Sequence, residues 1–185
     1  MTDMDALARA YARFVALPWA GDLAYPQRVW TVVYPPRDER RLRARLAEFE
    51  IATTKSGHGW RQVDVTDAFA GWLGRHPYRD AYFEEPELLS GAALEDFDRY
   101  VQEAVVAALE DPAADENTAV ALVGVGSLFP FSKVSRVLDG VGGSVRGRLV
   151  VFFPGERDGS NYRLLEARDG WNYLATPITD AKDAL

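Results

Sequence analysis

The chain has no cysteine, two histidines and two methionines among its 185 residues. Without cysteine there is no disulfide framework, no thiolate zinc site and no cysteine nucleophile. Two histidines cannot build a three-histidine metal centre, and His58 and His76 form no H-x-x-x-H or H-x-H pair. Asp64 and Asp67, near a strand end, are the carboxylates placed to meet magnesium, but acids at helix starts are the commoner pattern. Long apolar runs are also missing. Runs such as residues 119–123 and 149–153 are strand-sized, and none in the chain is long enough to cross a bilayer. The acidic start Met1-Thr2-Asp3-Met4-Asp5 lacks an apolar stretch, so a signal peptide is not expected and a soluble cytoplasmic protein is.

Positive charge is in deficit. The net charge is −7 and the pI near 4.9, which opposes attraction to a phosphate backbone, so direct nucleic-acid binding is not expected. The local exception is Arg37, Arg40, Arg41, Arg43 and Arg45. These read as a solvated helix face with Glu39–Arg43 and Arg45–Glu48 pairs, the alternative being a phosphate-binding patch.

What is present supports a core: 48% of residues are hydrophobic, and no linker or repeat divides residues 1–185, so one domain is expected. Leu7, Tyr11, Phe14 and Val15 recur at helical spacing over residues 3–17, and Pro18 follows. Residues 28–34 (RVWTVVY), 60–65, 119–123 and 148–153 read as strands, the β-branched ones as buried on both faces. Between them lie a helix with the stripe Leu42, Leu46, Phe49 and a short helix with Phe69, Trp72 and Leu73, capped by Thr66 or Asp67. A long helix carries Leu94, Phe97, Val101 and Val105, and a last one carries Val134, Val137 and Leu138. In that last helix Pro130 suits the first turn, Lys133 the interior and Gly140 the C-terminal stop. Residues 74–90 carry no periodicity and read as irregular. Asp169-Gly170 reads as a hairpin turn between residues 162–166 and 171–175. Strand–helix alternation predicts a three-layer α/β domain: a mainly parallel sheet with helices on both faces, Rossmann-like or P-loop-like, with a C-terminal β-hairpin at one edge.

Such sheets bind ligands beyond the carboxyl ends of their strands. Gly124, Gly126 and Ser127 allow close backbone approach, with a helix expected a few residues later. No G-x-x-x-x-G-K-[ST] and no G-x-G-x-x-G is present, and Ser127 lacks a nucleophile elbow, a helix cap being its commoner role. The turn is therefore either structural or a weak anion loop. Pro154, Gly155, Arg157 and Asp158 sit in a turn-rich loop that offers a guanidinium to a carboxylate or phosphate, or simply compensates its own charges. Tyr78, Tyr82 and Phe83, among acids and prolines, either cover the core or form an interface. No catalytic set closes, and neither a metal nor a cofactor is expected. The alternative is a nucleotide- or phosphate-binding enzyme using residues 124–127.

Three stretches carry a resemblance: VVYPPRDERRLRARL at residues 32–46, ALVGVGSLFPF at 121–131 and VVFFPGERDGSNYRLL at 150–165, supported by DGWNYLATPI at 169–178. With these the chain resembles the BrxB family of bacteriophage exclusion (BREX) systems, a domain of unknown function. The resemblance implies an antiviral accessory protein, and it carries no catalytic residues over to this chain. It implies, as partners, a PglZ-like protein foremost and the large ATPase of the same system second.

Overall fold

The computed structural model describes residues 4–158, 161–164, 167–172 and 175–180. Helix α1 (Met4–Val15) precedes strand β1 (Val29–Tyr34); helices α2 (Glu39–Arg43) and α3 (Leu46–Lys55) lead to β2 (Gly59–Asp64). Helices α4 (Ala68–Arg75), α5 (Arg79–Glu84) and α6 (Ala92–Leu109) lead to β3 (Thr118–Val123), and α7 (Val134–Val141) to β4 (Arg148–Asp158). Strands β5 (Asn161–Leu164), β6 (Ala167–Asn172) and β7 (Thr176–Ile178) follow.

Five strands are mutually parallel in the order β2-β3-β4-β1-β7. The three-layer α/β architecture expected from sequence is the one observed. With β4 between β1 and β3, the order is not the 3-2-1-4-5-6 of dinucleotide-binding sheets. Strands β1 and β3 are buried throughout, because helices cover both faces. Alternate residues serve opposite cores. Trp30, Val32 and Tyr34 pack with Leu7, Tyr11, Leu42 and Phe49 of α1, α2 and α3. Val29 and Val33 face the other way, toward Trp72, Phe97, Val101, Val137 and Leu138 of α4, α6 and α7. The connection leaving β1 thus runs over one face and those leaving β2 and β3 over the other. Right-handed crossovers require this when strand progression reverses direction.

At the amino ends, arginines are held by carbonyls rather than by acids. Arg28 donates to the carbonyls of Gly21, Leu23 and Val145. Buried Arg148 donates to Ala20 and Gly147, with Trp19 and Trp30 rings 5.0 and 5.7 Å from its guanidinium.

Several local expectations change. The single helix expected after Asp38 divides at Ala44 and Arg45, where Arg45 N–H bonds back to the Leu42 carbonyl in a tighter 3₁₀ turn. Residues 74–90 are not irregular, since α5 and a 3₁₀ turn (Pro86–Leu88) form there. Pro130 lies outside α7, Lys133 precedes its first residue and Gly140 is inside it, because the helix starts only at Val134. Strand β4 runs straight through Pro154 and Gly155. Its last residues pair antiparallel with β5, Gly155 facing Leu164, so the C-terminal hairpin grows from a central strand. In β5 and β6, Leu164 faces Ala167, and Asp169-Gly170 lies within β6 instead of forming the turn. Strand β7, parallel to β1, was not expected.

Candidate functional site

The carboxyl ends of β1, β2 and β3 converge on a chain of polar contacts. Tyr34 closes β1, and the Pro35-Pro36 turn brings α2 back so that Tyr34 Oη donates to Glu39 Oε2 at 2.6 Å. Arg43, one helical turn beyond Glu39, donates from Nε to Glu39 Oε1 at 2.7 Å and from Nη1 to Asp64 Oδ2 at 3.0 Å. Its Nη2 donates to Thr66 Oγ1, and Thr66 N–H donates to Asp64 Oδ1 at 2.9 Å. Burial, reinforced by Glu39, pushes the Tyr34 hydroxyl well above its ordinary pKa. Burial works against the Asp64 carboxylate, yet bonds from Thr66 and Arg43 outweigh it and hold its pKa below the ordinary range. Burial likewise opposes the Arg43 charge, and its bonds to Asp64 and Glu39 override that and raise its pKa.

The glycine turn is built against this network. Gly124 has φ +83°, and a Cβ there would stand 2.7 Å from Asp64 Oδ1 and 2.8 Å from Thr66 N. A carboxylate backing onto the turn repels phosphate instead of attracting it. No long helix follows to supply free N–H groups, because a 3₁₀ turn (Val125–Leu128) comes next and α7 starts ten residues after Gly124. Ser127 is not a helix cap: its hydroxyl donates to the carbonyls of Gly124 at 2.7 Å and Val65 at 3.2 Å. Neither Thr66 nor Asp67 caps α4 by a side-chain bond; Thr66 is held by Asp64. His58 is stacked on Trp19 at 3.7 Å and bonded to Asn117 just before β2. It therefore lies a strand length, roughly 20 Å, from the Ser127 hydroxyl bound to Val65.

The remaining loop candidates are strand residues. Pro154 is buried beside Gly126, its Cγ 3.0 Å from where a Gly126 Cβ would stand. Gly155 lets β5 approach, since a Cβ there would meet the Arg163 carbonyl and stand 2.5 Å from the Phe153 ring. Arg157 is exposed opposite Tyr162, and Asp158 ends β4 opposite Asn161. The structure thus brings Gly124, Gly126, Ser127 and Pro154 together and leaves Arg157 on the hairpin. Sequence reasoning paired Arg43 with Glu39 but missed its bond to Asp64, 21 residues away, for which no local pattern exists. Among the described residues no group of three or more His, Asp or Glu could hold a metal.

A second feature starts from the same turn. Phe131 stacks on Phe69 of α4 at 3.7 Å; Phe69 packs on Phe97 and Trp72, and Trp72 stacks on Tyr82 of α5 at 6.3 Å. His76 sits among Trp72, Tyr78 and Tyr82. Trp72 Nε1 donates to Asp96 Oδ2 of α6 at 3.0 Å, which fixes the ladder to the domain. Tyr82 is therefore half-buried, while Tyr78 and Phe83 are each 66% exposed and Leu88 46%. Phe83 projects from α5, Tyr78 from its N-terminal cap and Leu88 from the following 3₁₀ turn.

The profile of the BrxB family, described as BREX protein BrxB, matches residues 64–178. The chain belongs to the BrxB family. It is accordingly a component of BREX-type antiviral defence. The matched span holds the whole aromatic ladder, the glycine turn and β3 to β7, whereas residues 32–46 lie outside it. Comparison with curated proteins and with solved structures gives no match. Among the described residues no helix is long and apolar enough to cross a membrane.

Proposed function

We propose that this BrxB protein is a non-catalytic docking component of its BREX system, acting in the cytoplasm and presenting the α5 surface to a PglZ-like protein. The large ATPase of the system is its second candidate partner. The observation that carries this reading is the exposure of Tyr78, Phe83 and Leu88 across α5, its N-terminal cap and the following 3₁₀ turn. These three exposed apolar groups fall within eleven residues of chain, and clustered apolar exposure is a mark of interaction surfaces. Two further observations support it. At the carboxyl ends of β1 and β2, where an α/β sheet would receive a ligand, Glu39, Arg43, Asp64 and Thr66 are bonded to one another. The Ser127 hydroxyl is committed to two carbonyls, with no imidazole among its hydrogen-bond partners. Gly124, Gly126 and Pro154 then serve to shape the turn that anchors the aromatic ladder.

The test is co-purification of the cognate PglZ-like protein with wild-type chain and with the Tyr78→Ser/Phe83→Ser variant. Recovery with the wild type and loss with the variant is the expected result. Failure of the wild type to recover it at low salt overturns the reading.

A further inference from the structure

We infer that the occupant of the α5 surface is a basic, apolar-toothed segment of a protein partner; this rests on the docking reading and adds the partner's chemistry. Three carboxylates, Glu84, Glu85 and Glu87, lie between the exposed Phe83 and Leu88 along the chain, and all three are exposed. None of them makes an ion pair with a described residue. Asp80, by contrast, is compensated by Arg79 at 3.0 Å, so the uncompensated charge concentrates at the C-terminal end of α5 and the following turn.

This combination selects among occupants. A second copy docking by a two-fold axis would set this acidic patch against itself, and like charges in apposition cost several kcal/mol. A nucleic acid would meet carboxylates instead of counterions. A neutral apolar surface would strip water from the rim carboxylates and return nothing. A segment that alternates Lys or Arg with aliphatic or aromatic side chains covers the apolar centre and pairs the rim. Arginine fits best, because its planar guanidinium can lie on the exposed Tyr78 or Phe83 ring while bonding a neighbouring glutamate.

The experiment is titration calorimetry of the purified chain with the purified PglZ-like protein at about 0.05 M and about 0.5 M salt, a range over which screening shortens to a few ångströms. The wild type is expected to bind at least about tenfold more weakly at the higher salt, and E84K/E85K/E87K at least about tenfold more weakly than wild type at the lower. Y78S/F83S is expected to lose affinity while keeping its salt dependence. Circular dichroism checks that each variant is folded. Binding that ignores both salt and charge reversal overturns the basic-partner inference and leaves the docking reading standing. No binding by the wild type overturns both. A wild-type dimer in sedimentation that Y78S/F83S abolishes would show a second copy as the occupant and sink the inference.

Discussion

Arg43 Nη1 lies 3.0 Å from Asp64 Oδ2, and through that contact the helix after β1 is tied to the last residue of β2. In the sheet β1 and β2 are separated by β3 and β4, so no backbone ladder joins them directly. The ion pair carries a dependence on acidity. Asp64 has a lowered pKa in the folded chain, so the folded state holds its proton less tightly than the unfolded state does. Its contribution to stability is then present above the ordinary aspartate pKa of about 3.9 and is lost as pH falls below it. Asp64→Asn and Arg43→Met should both lower the melting temperature at pH 7. The gap from wild type should narrow once the pH passes below about 4. A gap that is constant from neutral to strongly acidic pH contradicts the assignment.

Gly124→Ala should destabilise the fold by about 1–3 kcal/mol, because it combines a left-handed backbone with a methyl group pressed on Asp64 and Thr66. Urea unfolding measures this directly. Combined with Asp64→Gly, which is itself destabilising, the total loss should be smaller than the sum of the two single changes, since the carboxylate is one of the colliding groups.

The three aromatic residues of α5 and its cap should separate by experiment. Tyr82→Ala should cost about 1–3 kcal/mol, as it removes a half-buried ring from Trp72 and His76. Tyr78→Ser and Phe83→Ser should change stability by no more than about 0.5 kcal/mol each. If the two exposed residues proved as costly as Tyr82, they would be core residues and unsuited to a partner.

Tyr162 pins the hairpin to the main sheet. Its hydroxyl accepts from Thr31 Oγ1 at 2.8 Å and donates to the Ala175 carbonyl at 3.3 Å, with all three groups buried. Tyr162→Phe should cost about 1–3 kcal/mol by leaving both partners unmet. Thr31→Val should cost less, and the double variant less than the sum, since the two residues share one bond.

The layers of the fold were legible wherever one local signal dominated. The β-branched runs of β1, β3 and β4 announced strands buried on both sides, and the three-residue and four-residue spacing of Arg45–Glu48 and Glu39–Arg43 announced real pairs. Legibility failed where a distant partner set the outcome. Pro154-Gly155 carries a turn signature, but β5 uses the missing side chain of Gly155 for close approach and keeps the segment extended. Thr-Pro-Ile in β7 has no strand pattern of its own and is extended because the outer side of β1 receives it. Of the site, Gly124, Gly126 and Ser127 were visible as a turn. That the turn faces Asp64 was not, because the contact spans about sixty residues of chain.

The strand order has a consequence for biosynthesis. Both neighbours of Val29–Tyr34, β4 and β7, lie at or beyond Arg148, whereas β1 itself is made early. A nascent chain that has reached α7 therefore carries an apolar strand with neither flank hydrogen-bonded, and its sheet cannot close from the front end forward. Topologies dominated by such distant pairings fold slowly and expose sticky edges meanwhile. Stalled ribosomes holding chains shorter than about 150 residues should yield protease-sensitive products. Resistance should rise only once β4, the strand that joins β1 to β3, has emerged.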